Sequence, residues 1–190
     1  MQHYYISDIH IGHKNALTFD NKPWDSLEDY HRDIILLWNA KVTDKDIVHI
    51  LGDFAHTTDV KLVVDVLSQL VGKKHLIRGN HDRFIDKIGF DQRLFQNICE
   101  IEYVHDNGKR IVCSHYPMLA WQNSHHDSIH FYGHLHLNGH KKTEGFFRVP
   151  RTYNTFLGLA NYAPATADEI IKNFDDFVER GELESEIRYD

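Results

Sequence analysis

Three short β-type runs alternate with two segments of helical periodicity, and this order constrains the fold more than any other feature of the sequence. The runs are Tyr4–Ser7, Ile47–Leu51 and His75–Ile77, and the intervening helices are predicted over Ser26–Asn39 and Val60–Val71. Strand, helix, strand, helix, strand is typical of parallel strands joined by right-handed crossovers. Ligands of such sheets bind beyond the carboxyl ends of the strands. We therefore look for function in the residues that follow each run.

Both predicted helices carry local start or stop signals. Ser26 followed by Asp29 can cap the first helix, and its apolar residues recur at helical spacing up to Asn39. Gly72 follows the second helix directly and can end it.

The second half of the chain has a different pattern. The segments Ile98–Val104 and Arg110–Ser114 are rich in β-forming residues and flank Asn107-Gly108, which predicts a tight hairpin. Further short strands are expected over Ile129–Tyr132 and Phe146–Val149.

A last helix is expected near the C-terminus. Thr166 and Glu169 match a capping box, and Gly181 can end the helix. Asp168–Asp190 holds most of the net charge of −7, so the acidity belongs to the helix and tail over 166–190. A solvated helix face explains this charge most simply.

The length of 190 residues fits one domain, which we expect to span 1–190. The longest apolar run, Ile34–Trp38, is far too short to span a membrane, and the N-terminal residues lack the regions of a signal peptide. We expect a soluble, cytoplasmic protein. Cys99 and Cys113 fall in predicted neighbouring strands without zinc or redox spacing, so we expect reduced thiols.

Residues of the types that bind metal ions, namely Asp, Asn and His, cluster just after the predicted strands. Histidine, the commonest metal ligand among side chains, accounts for 16 residues. Residues two apart in an extended segment point the same way and can approach a common centre. Glycine precedes three of the candidate ligands and permits close backbone turns. The segments are Asp8-Ile9-His10, Gly52-Asp53, Gly79-Asn80-His81-Asp82, Ser114-His115 and Gly133-His134-Leu135-His136.

These five motifs, in this order, resemble the pattern D-x-H, GD, GNH[DE], H and GHxH of the calcineurin-like metallophosphoesterase superfamily. The match runs from Asp8 to His136, and five ordered motifs are far more specific than any one of them. Ser7–His13 and Trp38-Asn39 look like small single-domain prokaryotic or phage-type members. The resemblance implies an α/β fold in which two mixed β-sheets pack face to face as a sandwich with helices outside.

The resemblance also implies a binuclear centre of two divalent ions. It assigns Asp8, His10, Asp53 and His136 to one metal, and Asp53, Asn80, His115 and His134 to the other. Asp53 would bridge two ions roughly 3.5 to 4 Å apart, and a bridging hydroxide would attack phosphorus. Imidazole, carboxylate and amide ligands without thiolate favour manganese, iron, nickel or zinc.

His81 adjoins a proposed ligand and is our candidate for stabilising the phosphoryl charge and protonating the leaving oxygen. Many family members carry a further Asp shortly after the GD, whereas this chain reads Gly52-Asp53-Phe54-Ala55-His56. We therefore expect Asp82, His56 or a backbone carbonyl to orient His81.

The other histidines fall into two groups. His13, the strongest candidate for contacting substrate, is grouped with His56, His125 and His126 because they lie near the motifs in sequence. The rest are expected to be ordinary surface or satisfied interior residues; they are His3, His31, His49, His75, His105, His130 and His140.

The function expected from these residues is hydrolysis of small phosphodiesters or monoesters, with a phosphoester as the partner and no membrane. A closed structural zinc site would use only four ligands, usually rich in cysteine. A nuclease would be expected to show a basic groove, and Lys141-Lys142 with Arg148 and Arg151 is sparse. A non-catalytic scaffold of the same fold remains the alternative outside the enzymes, although no motif ligand is missing.

Overall fold

The first sheet is built from four parallel strands in the order β1-β2-β3-β4. The computed structural model describes residues 1–136 and 149–179. The strands are β1 His3–Ile6, β2 Ile47–Ile50, β3 Lys73–Ile77 and β4 Asn97–Cys99. The first three agree with the predicted runs, and their carboxyl ends lie at one edge of the sheet.

The second sheet is mixed and has the order β5-β6-β7-β8. Its strands are β5 Ile101–Asp106, β6 Lys109–Ser114, β7 Ile129–Tyr132 and β8 Thr152–Asn154. β5 and β6 form the expected hairpin, and Asn107 and Gly108 both have positive φ, at 47° and 80°. Both positive angles match the type I′ turn that Asn-Gly favours. β7 is parallel to β6 and to β8.

Within the described residues, four α-helices accompany the sheets: α1 Lys14–Phe19, α2 Leu27–Lys41, α3 Val60–Gln69 and α4 Ala167–Glu179. Ser26 caps α2 by accepting a hydrogen bond from the Asp29 amide. The Thr166 hydroxyl accepts from the Glu169 amide, while the Glu169 carboxylate accepts from the Thr166 amide, which completes the predicted capping box.

The alternation of side chains along the strands divides the core into two main layers. Ile6 of β1 and Ile50 of β2 pack against buried residues of α2 and α3, such as Trp38. On the opposite face, Tyr5 and Ile77 meet side chains of the second sheet. Phe174 of α4 covers the outer face of that sheet beside Tyr132 and Leu135. The result is the expected α/β sandwich of two face-to-face sheets with helices outside, except that the strands of the first sheet pair only in parallel, whereas a mixed sheet was expected.

Some boundaries differ from the prediction. The run Ile98–Val104, predicted as one strand, is divided at Glu100 into β4 of the first sheet and β5 of the second. Cys99 and Cys113 are therefore in different sheets; both are free thiols, as expected. The predicted strand Phe146–Val149 lies outside the described residues except for Val149. His140, Lys141, Lys142, Arg148 and the tail beyond 179 also lie outside the described residues.

Candidate metal centre

Five loops meet where the parallel strands end. The amide of Asp8 donates to Gly52 O at 3.1 Å, and the amide of Gly133 donates to His115 O at 3.0 Å. These bonds join the loop after β1 to that after β2, and the loop after β7 to that after β6. Residues far apart in sequence are thereby brought together at one edge of the sandwich.

The first cluster at this edge contains Asp8, His10 and His136, whose potential ligand atoms all lie within 4.8 Å of one another. The Nε2 atoms of His10 and His136 face each other at 3.0 Å, and His136 Nε2 is 3.6 Å from Asp8 Oδ1. His10 Nδ1 is buried and has no hydrogen-bond partner among the described residues. Burial lowers the pKa of His10 to about 2, so the ring is uncharged at neutral pH and one of its nitrogens offers a lone pair.

The second cluster contains Asp53, His115 and His134, again within 4.8 Å. His115 Nδ1 lies 2.9 Å from the carbonyl oxygen of Leu51, which fixes the proton on Nδ1. The Nε2 lone pair then points towards Asn80 Oδ1 at 3.0 Å and Asp53 Oδ2 at 3.6 Å. A backbone carbonyl that orients an imidazole in this way is a regular partner of metal-binding histidines.

Asp53 belongs to the second cluster and also approaches the first. Its Oδ2 is 3.8 Å from His10 Nε2 in the first cluster and 3.6 Å from His115 Nε2 in the second, so the two distances are similar. Its Oδ1 accepts a hydrogen bond of 2.8 Å from the His81 amide. Burial and the nearby Asp8 carboxylate raise the pKa of Asp53. A divalent cation in each cluster would offset both effects, because opposite charge favours the ionised carboxylate.

Four of the candidate ligands have positive backbone φ angles, which non-glycine residues adopt rarely. The angles are 60° for Asp8, 57° for His10, 53° for Asp53 and 68° for His134. Such strained conformations concentrate at functional sites, where the surrounding structure holds them in place. Nothing in the sequence indicates this strain.

Close approach of the loops explains two of the motif glycines. A Cβ atom at Gly79 would lie 2.3 Å from Asp53 Oδ1, and one at Gly133 would lie 2.7 Å from Leu51 O. Neither position has room for a side chain, so each glycine allows two of the loops to touch.

Asp20, which follows α1, is a residue that the motifs missed. Its buried Oδ1 lies 2.7 Å from His136 Nδ1. Burial opposes protonation of His136, but hydrogen bonds to Asp20 and Asp8 raise its pKa to about 10. A carboxylate behind a ligating imidazole orients the ring and increases its basicity. Asp20 and His136 are 116 residues apart, and no local pattern links them.

The ring of His81 lies beside Asp53, with Nε2 4.0 Å from Asp53 Oδ2. Asp82 was one of the three groups expected to orient the His81 ring, but its carboxylate is directed elsewhere. It accepts hydrogen bonds from the backbone amides of Asp53, Gly79 and Ala55 at 2.8, 2.9 and 3.3 Å. Asp82 therefore joins two loops. Burial nevertheless raises the pKa of Asp82 to about 7.

His56 is the partner that contacts the His81 ring. The two ring centroids are 3.9 Å apart, and His13 follows at 4.2 Å from His56. These rings border a cavity of about 500 Å³ that opens onto the first cluster and is also lined by Ala16, Phe19 and Asp20. Cavities of this volume suit small molecules. His125 and His126, the other two histidines considered for substrate contact, are exposed residues that do not line this cavity.

The interior histidine His130 behaves as expected. Its Nδ1 lies 3.0 Å from Val112 O, and its Nε2 lies 3.1 Å from the Met118 amide.

Within the described ranges, no helix is long and apolar enough to cross a membrane.

Comparisons with known proteins extend these observations. The family model described as calcineurin-like phosphoesterase matches residues 2–184. An uncharacterised protein of Methanocaldococcus jannaschii is 32% identical over 182 residues, covering 95% of this chain and 93% of that protein. The gene 66 protein of Mycobacterium phage D29 is 36% identical over 83 residues, 42% of this chain and 40% of that protein. A crystal structure of a protein of unknown function from Aquifex aeolicus has a TM-score of 0.69 at 23% identity, covering 90% of this chain and 97% of that chain.

Proposed function

The chain belongs to the calcineurin-like phosphoesterase family, a family of metal-dependent phosphoester hydrolases, and on that premise we propose that it hydrolyses small phosphoesters at a binuclear centre. The observation that carries the proposal is the position of Asp53, which belongs to one three-residue cluster of potential metal ligands and lies 3.8 Å from His10 of the other. We also propose that residues 1–190 form one metallophosphoesterase domain.

In this proposal Asp8, His10, Asp53 and His136 hold one divalent ion, and Asp53, Asn80, His115 and His134 hold the other. The donor set fits such ions, since it combines carboxylate, imidazole and amide oxygen without thiolate. Bound ions supply an activated water nucleophile and stabilise charge on the phosphoryl oxygens. Manganese, iron, nickel and zinc all suit these donors.

The roles of the remaining residues follow from their contacts. His81 is reachable from the cavity, with about a third of its side chain exposed, and its Nε2 approaches Asp53. It can donate a hydrogen bond to a phosphoryl oxygen and protonate the leaving oxygen. His56 packs against its ring and limits the orientations that the ring can adopt. Asp20 holds His136 from behind.

The cavity supports a small substrate. A cavity of about 500 Å³ is in the size range of small-molecule sites, and His13 and Phe19 line its wall. We propose His13 as a substrate contact, because its ring continues the series from His81 through His56.

Hydrolysis of two chromogenic esters tests the proposal. Bis(p-nitrophenyl) phosphate is a diester, p-nitrophenyl phosphate is a monoester, and both release the same product. We expect turnover of at least one with Mn²⁺ and none after chelation, and the ratio of rates identifies the preferred ester. Protein that is shown to hold two metal ions and hydrolyses neither ester would contradict the proposal. Salt-sensitive binding and cleavage of single-stranded oligonucleotides would favour a nuclease instead.

A further inference from the structure

A second set of metal-ligand side chains lies between the two sheets. His49 of β2 and His75 of β3 are directly opposite each other in the parallel register, and both rings face Glu102 of β5. His49 precedes Asp53 by four residues, or about 13 Å of extended chain. These residues are therefore separate from the candidate metal centre.

The two imidazoles converge on one carboxylate. His49 Nδ1 lies 2.7 Å from Glu102 Oε2, and His75 Nδ1 lies 2.6 Å from Glu102 Oε1. The potential ligand atoms of the three residues all lie within 4.8 Å of one another, the same proximity as in the two clusters around Asp53. The ring planes are inclined by 84°, so the two nitrogens approach the carboxylate from different directions.

The outer sides of these groups are held by further polar contacts. His49 Nε2 is 2.8 Å from His3 Nδ1, and the His75 ring has a side-chain hydrogen bond with Gln96. Asn97 donates to Glu102 Oε1 at 3.2 Å. Partners on the outer nitrogen fix ring orientation in metal-binding histidines, and ligating carboxylates are themselves hydrogen-bonded.

We propose that His49, His75 and Glu102 form a third divalent-metal site, which accepts zinc or a similar transition ion and links the two sheets. Two imidazoles and one carboxylate suit zinc, and the fourth position remains for water. The alternative is a hydrogen-bonded cluster in which both Nδ1 atoms keep protons and donate to Glu102. In the metal site, the Nδ1 atoms of His49 and His75 are deprotonated and bind the ion through their lone pairs. The proton of His49 is then on Nε2, which faces His3.

Burial supports the metal site. The exposed fraction of the side chain is 2% for His49, 12% for Glu102 and 17% for His75. Glu102 is opposite Cys113, a member of the apolar layer between the sheets, and a divalent ion would compensate the charge of its carboxylate there. The partial exposure of His75 and Glu102 leaves a route for the ion. The proposal does not depend on the hydrolase function.

Zinc content tests the proposal. Zn²⁺-loaded, desalted protein is compared with the variants Glu102→Gln and His75→Gln and with the matched control Glu100→Gln, which removes an exposed carboxylate nearby. We expect each of the two cluster variants to lose one zinc per chain, whereas the control keeps the wild-type number. Equal zinc in wild type and both folded cluster variants would overturn the third site.

Anomalous diffraction from zinc-loaded wild-type crystals decides the same question without a variant. A peak between His49, His75 and Glu102 would support the third site, and the absence of a peak there would overturn it. Peaks beside Asp53 test the proposed hydrolase centre separately, so either idea can fail while the other stands.

Discussion

At the scale of single residues, Asp20 extends the candidate centre beyond the motifs. Its carboxylate is buried and lies 2.7 Å from His136 Nδ1, on the side of the ring opposite to Asp8 and His10. Residues in this position tune a metal ligand without touching the metal. The hydrogen bond therefore predicts a measurable effect on metal affinity.

Replacing Asp20 by Asn should weaken metal binding by about 10- to 100-fold, since the imidazole loses a charged partner that orients it. Titration of chelated protein with Mn²⁺ measures the change. Asp25→Asn removes an exposed carboxylate in the segment between α1 and α2 and should leave the affinity unchanged. Wild-type affinity in Asp20→Asn would show that His136 needs no orientation from Asp20.

The second residue-scale prediction concerns His81. His81→Ala should retain both metal ions but slow esters with poor leaving groups most, because these need protonation of the departing oxygen. Rates across aryl phosphodiesters with leaving groups of increasing pKa measure this dependence. His126→Ala serves as the control, since His126 is exposed and does not line the cavity. Equal losses for all leaving groups would exclude His81 as the acid.

At the scale of elements, the capping box of α4 is the clearest example of local sequence determining structure. Thr166 and Glu169 exchange hydrogen bonds. The Glu169 carboxylate also accepts a hydrogen bond of 3.1 Å from Nζ of Lys41, the last residue of α2. The capping box therefore starts α4, and Glu169 also links α4 to α2.

Thr166→Ala should lower the free energy of unfolding by about 1 kcal/mol, the usual cost of a lost N-cap. Urea denaturation measures the change, which corresponds to a shift of roughly 2 to 4 °C in Tm. Ser68→Ala removes a hydroxyl on α3 that bonds only within its own helix, at Asp65 O, and should change stability by less than about 0.5 kcal/mol. Equal effects of the two substitutions would show that the cap does not stabilise α4.

Elements with strong local signals were predictable, and those without such signals were not. Asn107-Gly108 defines its hairpin because both residues tolerate positive φ. In contrast, α1 has six residues and no side-chain cap, and β8 has only three residues. The break at Glu100 also escaped prediction, because moving from one sheet to the other depends on tertiary packing while β-forming residues continue on both sides.

At the scale of the whole molecule, the five motifs identify the candidate centre because parallel strands end together. Sequence order indicates which residues follow the strands, and the family resemblance supplies their pairing. The network behind them depends on long-range contacts: Asp20 meets His136, and Glu102 meets His49 and His75 across the sandwich. We expected His49 and His75 to be ordinary surface or satisfied interior residues, and both are hydrogen-bonded. Alternation within a strand does not reveal that the facing sheet presents one carboxylate to both.

The most direct test of the binuclear hydrolase is a combined count of metal ions and turnover in Asp53→Asn, because the Asp53 carboxylate belongs to the second cluster and also approaches His10 of the first. Mn²⁺-loaded wild type should hold two ions at this centre and hydrolyse at least one nitrophenyl ester. Asp53→Asn should lose both ions and all measurable turnover, whereas Asp44→Asn, an exposed control, should match wild type. Full metal content and wild-type turnover in Asp53→Asn would contradict a centre that Asp53 bridges.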